Sequence, residues 1–378
     1  MNGVLGLLAN RPRLLALGEP THQENQLLYL RNELFQELVV EEGYRAIALE
    51  SDCLVGLVVD DYVTSGVGEL DEVMKRGFSH EWGGLEGNRQ LVQWMRSYNE
   101  TPEEPVRFAG FDGPLEISGP ESPRHALTTL HTYLSNWLEA DLLPCTADAL
   151  DDLLGSDERW TNPAIMYEPD QSIGRTDEAE YLQWLAGELT ALVDTQTPYL
   201  IAASSREEWN RARLYARTAT GLLRYHYWMA DTSPRRIARL LAQRDSMMAA
   251  NLLDLVDRAP TLVFAHNSHL QREQSTLNMA GANHHWWSAG ALVNAHLGQD
   301  YAFFATALGT MHHHEVGTPP ADTIEGVLYA QDHQLIDPST LTGPLKPRVS
   351  PWFGYAALHP DHLSSIDGIV FVKDVNPS

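Results

Sequence analysis

Two carboxylates and three imidazoles of this sequence fall just beyond short apolar runs, where a chain can do acid–base chemistry. Glu19 and His22 lie in Gly18-Glu19-Pro20-Thr21-His22, Glu50 closes the run Tyr44–Glu50, and His266 and His269 follow Thr261–Ala265. A carboxylate beside an imidazole fixes its tautomer and raises its basicity, so the far ring nitrogen can take a proton from water. A second imidazole and an arginine can hold the oxyanion that forms when water attacks an acyl carbon. Arg31, nine positions after His22, is a candidate for that charge, with a solvated arginine as the ordinary alternative. The same Glu and His side chains are also plausible ligands for a divalent ion. The spacing of His266 and His269 is compatible with coordination, but no HExxH or paired-cysteine motif sets a geometry. A covalent serine route lacks its GxSxG elbow, and there is no GxxxxGK[ST] phosphate loop.

Those residues need elements that carry them to one place. The apolar run Leu14–Leu17 reads as a strand, with Gly18 and Pro20 expected to stop it and force a turn. Leu27, Leu30, Leu34 and Leu38 then recur at helical spacing, and Gly43 is a natural C-terminal cap. Tyr44–Glu50 reads as a second, buried strand. Strand, helix and strand make a βαβ unit, which predicts a parallel pair with a right-handed crossover. Glu19 and Glu50 then share the carboxyl edge of the sheet, where ligands bind in open α/β folds.

Helices are expected over Leu54–Val63 and around Leu91, Trp94 and Met95, and a third strand over Val106–Asp112 delivers Asp112. Further strands are expected at Thr261–Ala265, Tyr301–Leu308 and Gly368–Lys373. Between residues 122 and 258 leucines and tryptophans recur at helical spacing. Tyr199–Ala203 is the strand-like exception, and a polar loop falls near Thr161–Thr176. The fold class is therefore α/β: a mostly parallel sheet flanked by helices, with a core of residues 1–121 and 259–378. Residues 122–258 form a mainly helical insertion or cap. Trp137, Trp184, Trp209 and Trp228 read first as helix packing, and some could line an apolar pocket.

With 43% hydrophobic residues among 378, the chain can bury a sizeable core. A formal net charge of −25 opposes extended contact with nucleic acid or anionic lipid. The expected partner is a small molecule, with no cofactor; the oligomeric state is left open. Cys53 and Cys145 have no paired spacing, so neither a disulfide framework nor a structural zinc site is indicated. Val4–Ala9 is too short for a membrane span and has no positive leader, which reads as a cytoplasmic protein. Met311-His312-His313-His314-Glu315 follows a predicted strand. Three adjacent imidazoles cannot all face one centre, so at most one is expected to serve a site. His312 is assigned to substrate contact on that basis, together with Asp112, His285 and Trp286.

Taken in order, several stretches resemble the erythromycin esterase family. They are Gly18–His22, Arg31, Gly43–Glu50, Trp82 and Glu86 before Trp94–Asn99, and Phe108–Asp112. Arg244–Ala249, Ala265–Leu270 and Ile366–Phe371 follow. The resemblance implies an α/β core with a helical insertion, and hydrolysis of a macrolide lactone or related ester without a metal, the chemistry of antibiotic resistance. It implies His22 as the water-activating base and Glu19 as its partner. Arg31, Glu50, His266 and His269 would complete the polar wall around the carbonyl. The three-histidine run and Trp286-Trp287 depart from the family motif and bear on the substrate. A natural-product biosynthetic enzyme using the same wall for cyclisation or elimination is the alternative. A metal- or haem-binding protein on a similar core is a third reading, and the lipoprotein signal that would favour it is not present.

Overall fold

Leu14, Leu15, Ala16 and Leu17 are wholly buried, as a parallel strand covered on both faces must be. In the computed structural model, which describes residues 3–101, 104–116, 119–279, 281–331, 334–350 and 352–377, this run is the middle of a sheet. The strands in chain order are β1 (Leu14–Glu19), β2 (Ala46–Asp52), β3 (Arg107–Asp112), β4 (Leu115–Glu116) and β5 (Gly119–Pro120). They continue with β6 (Thr261–His266), β7 (Gln274–Met279), β8 (Ala282–Trp287), β9 (Tyr301–Thr310), β10 (Leu335–Ile336) and β11 (Gly368–Asp374). Seven of them form one sheet in the order β10-β11-β9-β1-β6-β2-β3. β1 pairs in parallel with β6 and with β9, β6 with β2, and β9 with β11, while β10 is antiparallel at the edge.

The expected direct pairing of β1 with β2 is corrected by this order. The two strands point the same way, but β6 lies between them. Thr261–Ala265 is buried along its whole length, so it needs neighbours on both edges and cover on both faces. The helix α1 (Asn25–Glu42) ends as expected at Gly43, whose φ of 67° is left-handed. Gly18 does not stop β1, which runs on through Glu19. Its requirement is steric: a Cβ there would lie 2.1 Å from Asn267 Oδ1. Asn267 is in turn held by its amide on the Thr306 carbonyl at 2.9 Å.

The chain divides into two compact units, the first comprising Met1–Ser51, Val55–Phe111 and Leu252–Ser378, the second Asp52–Leu54 and Asp112–Asn251. The first unit holds the sheet core, in which Leu15, Leu17, Phe35, Ile47, Leu262 and Phe304 meet. It also holds the β7–β8 hairpin, which periodicity did not reveal.

The second unit is mainly helical, around Leu127, Leu130, Leu182, Leu189 and Leu223. Tyr199–Ala203 is helix and not strand: Thr197–Ala203 opens with Pro198 in its first turn and buries Leu200 in the helical core. In the polar stretch 161–176, Thr161 closes the short helix Glu158–Thr161 and two 3-10 turns follow, Pro163–Met166 and Pro169–Gln171. Trp137 and Trp209 pack against the helical core, whereas Trp184 is half exposed and stacks on Tyr181. Among the described residues no helix is long and apolar enough to cross a membrane.

Candidate active site

Parallel register places Glu19 opposite His266 at the carboxyl ends of β1 and β6, and β2 delivers Glu50 beside them. The turn after β1 then folds His22 back onto Glu19, with Gln23 taking a left-handed φ of 68°. His22 Nδ1 lies 2.7 Å from Glu19 Oε1. An ionised carboxylate only accepts, so this bond places the ring proton on Nδ1 and leaves the lone pair on Nε2. That nitrogen lies 4.0 Å from Glu50 Oε1, and the His22 side chain is 38% exposed. Its ring is flanked by Trp82 at 5.4 Å and His266 at 5.2 Å between centroids.

Glu50 ties the other strand ends together. Its Oε2 accepts the His266 backbone N–H at 2.8 Å, and its Oε1 lies 3.4 Å from His269 Nε2. Two imidazoles therefore turn their Nε2 atoms toward one buried carboxylate oxygen.

His266 is more committed. Its Nδ1 accepts from the Ser268 backbone N–H at 3.2 Å and lies 2.7 Å from the Ser268 hydroxyl. An Nδ1 that accepts an amide proton bears none of its own. Burial, then the neighbouring His22, pushes its pKa down to about 3, so this imidazole is neutral near pH 7.

Glu19 is buried, and its second oxygen, Oε2, has no hydrogen-bond partner among the described residues. Burial raises its pKa above the usual carboxylate value, against the lowering influence of His22 and Arg31. Arg31 is inside the protein and not solvated. It donates to Asn32 Oδ1, Asn88 Oδ1 and the Gly87 carbonyl, and its guanidinium lies 5.1 Å from the Phe264 ring centroid. Burial pulls its pKa down to about 9, which leaves it charged near neutrality. Its influence on Glu19 is through charge, from a position fully removed from solvent.

The remaining candidates have settings of their own. Asp112 is fully buried in the second unit, where Arg244 grips it with Nε at 3.0 Å and Nη2 at 2.6 Å. His285 is exposed on β8 and bonds Thr276 across the hairpin at 2.9 Å, while Trp286 is buried. Thr276 lines a cavity of about 330 Å³ together with Asn267, Ser268, Phe303 and His362. His312 is exposed at the start of the 3-10 turn His312–His314. Two of the run's three imidazoles, His313 and His314, turn to Glu24, more than adjacency suggested. Trp82, which flanks the His22 ring, was not a candidate from the sequence, since a tryptophan beside a glycine pair has no distinctive period.

The sequence profile of the erythromycin esterase family matches residues 39–367. A curated relative, erythromycin esterase type II of Escherichia coli, is 28% identical over 102 residues, which are 27% of this chain and 24% of that protein. The chain thus matches about a quarter of that relative's length. Among solved structures, a Bacillus cereus protein superposes with a TM-score of 0.74 at 18% identity, covering 100% of this chain and 92% of that one. The erythromycin esterase EreC, as a mutant in its open conformation, gives 0.70 at 18% identity, covering 99% and 93%. A succinoglycan biosynthesis protein gives 0.67 at 16% identity, covering 100% and 91%. At these identities the structural likeness speaks for the fold, and the profile match over most of the length speaks for kinship: the chain belongs to the erythromycin esterase family.

Proposed function

We propose that this protein hydrolyses a macrolide-like lactone or related carboxylic ester, with His22 as the base that activates water. The observation that carries the reading is the His22 ring, fixed through Nδ1 by Glu19 and presenting Nε2 across 4.0 Å to Glu50 Oε1. A water about 2.8 Å from each would subtend about 90° between them, a geometry a water can adopt. Nε2 takes one proton as the water oxygen attacks the acyl carbon, and the carbonyl becomes an oxyanion. Collapse breaks the bond to the alkoxy oxygen, which leaves as an alcohol with the proton held on the imidazole. Glu19 offsets the positive charge the ring carries in between. His269, anchored on Glu50, is the group best placed to face the oxyanion, whereas His266 and Arg31 position the acids around them. Every proton in this scheme is carried by a side chain, so the proposed reaction calls for no metal at the His22 corner.

The test uses erythromycin in water enriched with heavy oxygen, with and without chelator, beside His22→Ala. The expected product is ring-opened, carries one heavy oxygen and forms regardless of chelator. His22→Ala is expected to be slower by at least about a hundredfold, the usual contribution of a general base. Activity lost on chelation and restored by metal would replace the metal-free scheme. Failure to open any macrolactone would shift the reading to non-hydrolytic acid–base chemistry.

A further inference from the structure

A second convergence of donor atoms lies where the chain leaves β1 and β9, adjacent parallel strands after which the chain goes on toward opposite edges of the sheet. Glu24, at the N-terminus of α1, directs Oε1 to His313 Nε2 at 2.8 Å and to His314 Nε2 at 3.8 Å. All three ligand atoms lie within 4.8 Å of one another, the one such group among the described residues. The loop that carries the histidines is held at its base by paired backbone hydrogen bonds between Met311 and Val316, at 2.8 and 3.1 Å. The His314 ring is stacked on Trp352 with 3.9 Å between centroids and 1° between planes. Glu24 is buried, while the two imidazoles are part exposed.

The ordinary reading is one carboxylate–imidazole hydrogen bond with a second ring nearby. That reading accounts for His313 and leaves His314 without a reason to be clamped with Nε2 aimed at the same oxygen. Metal geometry accounts for both. Ligands about 2.0–2.1 Å from a tetrahedral ion stand about 3.4 Å apart. The separations of 2.8 and 3.8 Å straddle that value, so each needs to change by about half an ångström, in opposite senses.

We propose that Glu24, His313 and His314 bind one first-row dication of the zinc class, with solvent completing the coordination on the open side. Two imidazoles and one carboxylate suit Zn²⁺, Co²⁺ or Ni²⁺ and do not suit Mg²⁺ or Ca²⁺, which take oxygen ligands. The ion would staple the loop after β9 to the start of α1, two residues beyond His22. This site does not depend on the hydrolytic reading of His22.

The full chain, stripped with chelator and desalted, would be titrated calorimetrically with Zn²⁺ and, separately, with Mg²⁺. One tight Zn²⁺ equivalent and no matching Mg²⁺ heat is the expected result. In His313→Ala/His314→Ala that equivalent should weaken by at least about a hundredfold, since even outer-shell changes cost ten- to a hundredfold. In His22→Ala, which removes a donor from the other cluster, it should persist. Unchanged circular dichroism of the double variant separates ligand loss from unfolding, and both histidines are part exposed. Wild-type Zn²⁺ affinity and stoichiometry in the double variant, or no tight Zn²⁺ binding by the wild type, overturns the proposal.

Discussion

Glu19→Gln tests the acid–base scheme with the least change of shape. The native oxygen sits 2.7 Å from His22 Nδ1 in a buried setting, and the substitution keeps the side chain's volume while removing its charge. A hydrogen bond to a charged partner contributes about 1.5–3 kcal/mol. At about 1.4 kcal/mol per decade, its loss from a transition state that puts positive charge on the imidazole is about ten- to a hundredfold in rate. An amide that turns its NH₂ toward Nδ1 does more harm. It moves the ring proton to Nε2 and removes the base, whose contribution is about 10²–10⁴-fold.

The expected outcome is a fall in kcat of at least about tenfold, and about a hundredfold or more where the amide turns its NH₂ to the ring, with KM within about threefold, because the interaction strengthens only as charge develops. Stability should move the other way. Burial raises the Glu19 pKa above its unfolded value, so between the two the native state binds the extra proton and wild-type stability falls as pH rises. The glutamine variant escapes that loss: it should be the more stable protein at neutral pH, with the gap closing below the unfolded carboxylate pKa. Kinetics on a macrolactone that the wild type opens, together with thermal melts at pH 4 and pH 7.5, measure both. A variant with wild-type kcat, or one less stable than wild type at pH 7.5, would refute the argument.

Other changes follow from the same geometry. Arg31→Met removes a charge that lowers the Glu19 pKa, so the acid limb of the kcat/KM–pH profile should move to higher pH; an unmoved limb would show that the charge is not felt. Gly18→Ala drives a methyl against Asn267, whose Oδ1 and Cα would lie 2.1 and 3.1 Å away, and overpacking of this kind costs about 1–3 kcal/mol in denaturant unfolding. Arg244→Ala strips the cation from fully buried Asp112 and should destabilise by about 3–5 kcal/mol. Arg244→Ala/Asp112→Asn should recover part of that loss, and strictly additive effects would argue against the pair.

The local sequence determined a good deal of this protein. Apolar runs that lead into Glu or His marked β1, β2 and β6 and put Glu19 and His266 at strand ends, because strand burial is a local property; β2 runs on past Glu50 to Asp52. Gly43 likewise marked the end of α1 through its backbone conformation. Lateral order was another matter. A parallel strand buried on both faces looks alike in every central slot, so nothing in Thr261–Ala265 says that it enters between β1 and β2. Only that insertion brings the His266 N–H onto Glu50, and Asn267 against the bare face of Gly18. The inward turn of Arg31 and the meeting of Glu24 with His313 and His314 depend in the same way on which loops share a sheet edge. Such contacts join residues far apart in sequence, so tertiary packing alone decides them.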